Sequence, residues 1–215
     1  NFQSLISQGA LVQDVQPALY LYRQIMGRHS QLGLVGVTSC EEYIDGIIKK
    51  HELTRIDKED DRVRHIETLN AQTGPVFLTY KADPELDARL NGIAAGAPAV
   101  DFTAPDGVRH TSWNISDKAA VDFIEKRFAS IPFLYIADGH HRSAAAARVF
   151  KTRKGVGESA HFLTVIFPHN QMQILPYNRV LKDLNENTAE SILKKLDSVF
   201  VIKTPGTASP GRKHE

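Results

Sequence analysis

The chain has 215 residues and a mass of 23.9 kDa, with 42% hydrophobic and 24% charged residues, a globular composition with room for a substantial core. Its formal net charge of +1 carries no polyanion signal, so a duplex nucleic-acid binder is not favoured. The single Cys40 excludes an internal disulfide and no apolar run approaches transmembrane length, so a soluble cytoplasmic protein without membrane contact is expected.

Leu5 to Val15 has the pattern of a short helix, and Ala18 to Ile25 that of a strand. The polar tip Gly27-Arg28-His29-Ser30 then makes a hairpin with Leu32 to Thr38 as partner. Ser39 with Glu42 three residues on forms a capping box, predicting a helix from Glu41 to Ile48. Lys49 to His65 is the densest run of charge, and its alternating signs suit a solvated helix that Ile66 to Gln72 continue up to Gly74-Pro75. His51-Glu52 opens like a zinc-protease helix, but the second histidine that motif needs is Arg55, so the motif is absent.

Val76 to Tyr80 reads as an apolar strand, and Asp83-Pro84 as the cap and first turn of a helix reaching about Ala95. Ala99 to Thr103 and Val108 to Trp113 flank the turn Pro105-Asp106-Gly107 as a second hairpin. Ser116-Asp117 cap a helix with Ala120, Phe123, Ile124 and Phe128 on one face. After the strand Phe133 to Ala137 and an alanine-rich helix comes an exit loop, Lys151 to Gly157. His161 to Phe167 and Met172 to Leu175 form a third hairpin, Thr188 to Leu196 an amphipathic helix and Val199 to Ile202 a last strand. Hairpins mixed with helices, without regular βαβ alternation, predict an α+β fold with a mixed sheet and flanking helices. Residues 1–203 are expected to form a single domain, the central part of a longer protein, with a flexible tail at 204–215 that is rich in Pro, Gly and Ser.

The chemistry concentrates at Asp138-Gly139-His140-His141-Arg142, set directly between that apolar strand and the helix. Gly139 suits a tight turn, and the helix that follows begins with N–H groups lacking partners and with the positive end of its dipole. Two imidazoles and the Arg142 fork stand at the same point, so the segment suits an anion, best a phosphate. Gly139, His140, His141, Arg142 and Ser143 are the candidate phosphate contacts, and Asp138 offers an oxygen for Mg²⁺. Adjacent helical histidines diverge by about 100°, which makes a shared zinc ion awkward.

The run Ile136 to Arg142 resembles the phosphate-binding box of the ParB/sulfiredoxin-like superfamily, and within it that of the free-serine kinases, which transfer phosphate from ADP. Lys50-His51-Glu52 is similar to the Pro-His-Glu motif of those kinases, whose glutamate is the catalytic base. Leu175-Pro176-Tyr177 with Lys182-Asp183-Leu184-Asn185 resembles a later segment of the same enzymes. Nearly the whole chain also resembles the middle of a widespread bacterial family of unknown function that carries Tyr-Ile-Ala-Asp-Gly-His-His-Arg, here Tyr135 to Arg142.

The resemblance implies a ParB/sulfiredoxin-like core around a strand–DGHHR–helix unit. It further implies a nucleotide-dependent phosphotransferase, a small-molecule kinase acting on a hydroxyl such as that of an amino acid, with ADP or ATP and Mg²⁺. Glu52, Asp138 and His140 are then the catalytic residues, and His51, Arg55, Arg62 and Arg64 secondary contacts. The superfamily also hosts nucleases and DNA clamps, so a nucleotide-binding regulatory or partner-binding module and a phosphodiesterase or nuclease stay open as alternatives.

Overall fold

The computed structural model describes residues 2–175 and 182–201. They fall in two units, Asn1–Met172 and Gln173–Glu215. In the first, α1 (Phe2–Ser7) precedes a hairpin of β1 (Leu19–Met26) and β2 (His29–Ser39), which turns between Met26 and His29. Then come α2 (Cys40–Ile44), the two-residue β3 (Ile48–Lys49), α3 (Ile56–Leu69), β4 (Val76–Tyr80) and α4 (Pro84–Ala94). The hairpin of β5 (Val100–Thr103) and β6 (Arg109–Ile115) leads to α5 (Lys118–Ala129), β7 (Leu134–Asp138), α6 (His140–Arg153) and β8 (His161–Pro168). The second unit contains α7 (Ala189–Asp197), capped by the Thr188 hydroxyl, which accepts from the Ser191 N–H.

The strands join one eight-stranded mixed sheet in the order β3-β7-β4-β8-β2-β1-β6-β5. β3 with β7 and β4 with β8 are parallel, and the other neighbours are antiparallel. The architecture is therefore α+β, with helices flanking a mixed sheet. Strand periodicity sets the faces: Val76, Leu78 and Tyr80 alternate inward on β4, as do Leu134 and Ile136 on β7. They share one core with Leu21, Leu34, Ile48, Leu86, Ile124 and Phe162. Fully buried residues such as Leu78 and Ile136 each contribute roughly 1.5–3 kcal/mol relative to exposure. Helix α6 lies against β4 and β8 between α2 and α3, and its buried Ala144, Ala145, Ala146 and Ala147 allow that close approach.

Several element boundaries differ from the sequence expectation, each for a local reason. Helix α1 spans residues 2–7, not Leu5 to Val15, because Gly9 at φ +72° closes it: the Gly9 N–H donates to Ile6 O and the Ala10 N–H to Leu5 O. Gly46 at φ +78° likewise stops α2 at Ile44, with the Ile47 N–H on Glu42 O, and this frees Ile48 to enter the sheet. The charged run is helical only from Ile56, and Asn70 in the left-handed region ends that helix before Gln72. Lys151 to Arg153 belong to α6 and not to a loop. No third hairpin forms; Pro168 leads into a 3₁₀ turn, His169–Gln171, whose Gln171 side chain accepts from the Leu32 N–H at 2.7 Å, and residues 172–175 are irregular. Residues 199–201 are not a strand, and Ile202 lies outside the described residues.

Candidate active site

The turn from β7 into α6 is built on one backbone conformation. Gly139 has φ +94° and ψ 25°, and a Cβ there would lie 3.3 Å from Val76 Cα. Both features favour glycine, because L side chains are strained at this φ and a Cβ would press tightly on the neighbouring strand. Its carbonyl accepts from the N–H groups of Arg142, at 2.9 Å, and Ser143, at 3.1 Å. The N–H groups of His140 and His141 have no acceptor among the described residues. They are the open donors expected at a helix start.

Sheet register brings Glu52 to this turn. β3 runs parallel to β7 with Ile48 opposite Leu134 and Lys49 opposite Tyr135, so the chain leaving β3 continues beside β7 toward Asp138. Glu52, Arg62, Asp138, Gly139, His140, His141 and Arg142 line one cleft of about 290 Å³. Glu52 Oε2 stands 3.5 Å from His140 Nδ1, and its side chain remains more than half exposed.

His140 lies beneath the cleft instead of projecting into it. It is 4% exposed, the His51 ring packs edge-on against it at 4.4 Å, and its Nε2 is enclosed with no hydrogen-bond partner. Burial lowers its pKa and nearby His51 adds to that, while Glu52 and Asp138 pull the other way. The ring's Nδ1 faces the Glu52 carboxylate. The buried imidazole packs behind the Glu52 carboxylate, while the backbone N–H of the same residue has no acceptor among the described residues.

The other expected contacts separate by position. His141 Nε2 accepts the Arg55 N–H at 3.2 Å, which puts its proton on Nδ1 and ties the N-terminus of α3 to that of α6. The Arg142 guanidinium rests beside Gly74, donates to Pro75 O at 3.4 Å and has no carboxylate partner among the described residues. Arg62 lines the cleft while paired with Asp61 at 3.0 Å. The Arg55 fork is taken by Asp57 and Arg64 pairs with Asp61, so neither guanidinium is turned to the cleft. Ser143 is fully buried with its hydroxyl on His140 O, and does not line the cleft. Residues 176–181, which carry part of the later kinase-like segment, lie outside the described residues.

Gly74 and Pro75, which seat Arg142, and Val76, which packs under Gly139, were not among the expected site residues. The only sequence signal for them is the Gly-Pro pair, read simply as a helix stop. Among the described residues no group of three or more His, Cys, Asp or Glu side chains is arranged to hold a metal ion. Glu52 and Asp138 nevertheless put two carboxylates on one cleft. Oxygen donors of this kind suit a hard divalent cation, which commonly takes only one or two protein carboxylates when other ligands complete its shell.

A family model described as "Protein of unknown function (DUF1015)" matches residues 1–215, and the chain belongs to that family. No curated protein and no solved structure gives a match.

Proposed function

We propose that this chain is a nucleotide-dependent phosphotransferase with a ParB/sulfiredoxin-like core, binding the phosphates of ADP or ATP at the N-terminus of α6. The observation that carries the reading is the meeting of open backbone donors, a guanidinium held only by a long contact to Pro75 O and a carboxylate beside the His140 ring in one cleft. Phosphoryl transfer asks a protein mainly for charge stabilisation and alignment, and these groups supply both. The N–H groups of His140 and His141 and the Arg142 fork hold phosphate oxygens. Glu52 accepts the proton of the acceptor hydroxyl as its oxygen attacks the transferring phosphorus and the bond to the donor's remaining phosphate breaks. Asp138 would be the oxygen donor for Mg²⁺, which would neutralise phosphate charge when it arrives with the nucleotide.

His140 acts here as a positioning residue through Glu52, and Arg62 adds charge at the rim. The acceptor is a small hydroxyl-bearing metabolite that enters on the Glu52 side. Glu52→Gln should lower phosphoryl transfer from ADP or ATP by about 100-fold or more, since general-base catalysis is typically worth that much. Nucleotide affinity should stay within about threefold. Transfer at the wild-type rate in this variant would remove Glu52 from the chemistry. Binding without any transfer to a panel of hydroxyl acceptors would favour a regulatory nucleotide-binding module instead.

A further inference from the structure

Beyond the cleft, the seam between α3 and α6 holds two further cavities. The first, about 30 Å³, shares Arg62 and Arg142 with the cleft and continues to Ile66 and Gln72. Those two residues also line the second, about 380 Å³, which reaches Val149, Arg153, Val156 and Glu158. Arg142, Ala146, Val149 and Arg153 form one stripe of α6, and the rise from Arg142 to Arg153 is about 16 Å at ~1.5 Å per residue step. The far cavity falls within the roughly 300–1,000 Å³ of small-molecule sites.

Its lining is amphipathic. Val149 and Val156 offer apolar surface, Glu158 an acceptor, and Arg153 a guanidinium held by Asn70 Oδ1 at 2.8 Å. The Gln72 amide is already occupied, its Nε2 donating to His161 O at 2.9 Å and its Oε1 accepting from the Leu163 N–H at 2.8 Å, so it forms a fixed wall.

We infer that this seam cavity receives the nucleoside part of the phosphate donor. The inference rests on the phosphate reading of the cleft. An acceptor must approach on the Glu52 side to lose its proton there, and in-line transfer sends the donor's remaining part the opposite way. The seam leaves the cleft at Arg62 and Arg142, and its first cavity is lined by neither Glu52 nor Asp138. A phosphate chain of about one helical turn carries a sugar and base from the rim to Val149 and Arg153, with Glu158 placed for sugar hydroxyls.

The test compares ADP with inorganic pyrophosphate, each with Mg²⁺, by titration calorimetry on the full chain, in wild type, Val156→Trp and Glu158→Ala. Val156 is 75% exposed and the Glu158 side chain 98% exposed, so neither exchange disturbs the core. Wild type should bind ADP at least about tenfold more tightly than pyrophosphate, the surplus coming from the nucleoside. Either variant should lose most of that surplus while pyrophosphate affinity stays within about twofold. If wild type binds both equally, or both variants keep the full ADP advantage, the nucleoside lies elsewhere and the inference falls. If wild type binds neither, the phosphate reading itself fails, a result distinct from the first two.

Discussion

His140 sits where a positive charge is costly. Burial and the adjoining His51 both favour its neutral form, outweighing Glu52 and Asp138. The unfolded chain would titrate this residue near 6.5. Between that value and the lower folded one, the unfolded state binds more protons, so stability declines as the pH falls through this window and is retained above it. NMR titration should therefore place half-protonation of His140 below about 6.5. Urea midpoints should fall more between about pH 7 and about pH 5 in wild type than in His140→Gln. An equal acid slope in the two proteins would contradict the neutral, buried assignment. At this scale residue types alone identified the cluster but not its division of labour. Sequence places His140 and His141 side by side; only packing sends one ring under the cleft and the other onto the Arg55 N–H. The Ser143 hydroxyl was equally illegible, because a helical serine can turn back to its own carbonyls, as this one does toward His140 O.

The junction of β7 and α6 is the element on which the site depends. Gly139→Ala would force a side chain into the left-handed region and bring its Cβ within 3.3 Å of Val76 Cα. A destabilisation of about 1–3 kcal/mol is expected, read as a lowered denaturant midpoint. Phosphate affinity should drop more than stability implies, since the N–H groups of His140 and His141 reorient with the turn. A variant with wild-type stability and affinity would mean that the turn is not held by its glycine. Long apolar-periodic strands and the Asp83 and Asp117 helix caps were legible, being set by local chemistry: each aspartate accepts N–H groups of its helix's first turn. The ends of α1 and α2 were not, because Gly9 and Gly46 act through a left-handed conformation that competes with a continuing apolar pattern. The parallel pairing of β3 with β7 was least legible of all, since two residues carry it and its partner lies 86 positions away, at Leu134 opposite Ile48. That pairing is what delivers Glu52 to the cleft.

In the first unit as a whole, a mixed sheet fixes the ends of β3 and β7 side by side, and α3 and α6 bring their N-termini to the same place. Arg148 strengthens this arrangement by pairing with Glu59 at 3.3 Å and Asp60 at 2.7 Å, holding the start of α3 against α6. The Arg148 and Asp60 side chains are about half exposed, so solvent screens their pairing, and the helices owe their placement mainly to the buried alanine face of α6. No helix among the described residues is long and apolar enough to cross a membrane. The most direct measurement is a calorimetric titration of Mg·ATP and Mg·ADP into the full wild-type chain and into Arg142→Ala. A saturable 1:1 heat in wild type, weakened about tenfold or more by loss of the guanidinium, is the predicted result. No binding of either nucleotide to wild type, or equal affinity in the two proteins, would contradict a phosphate site at the head of α6.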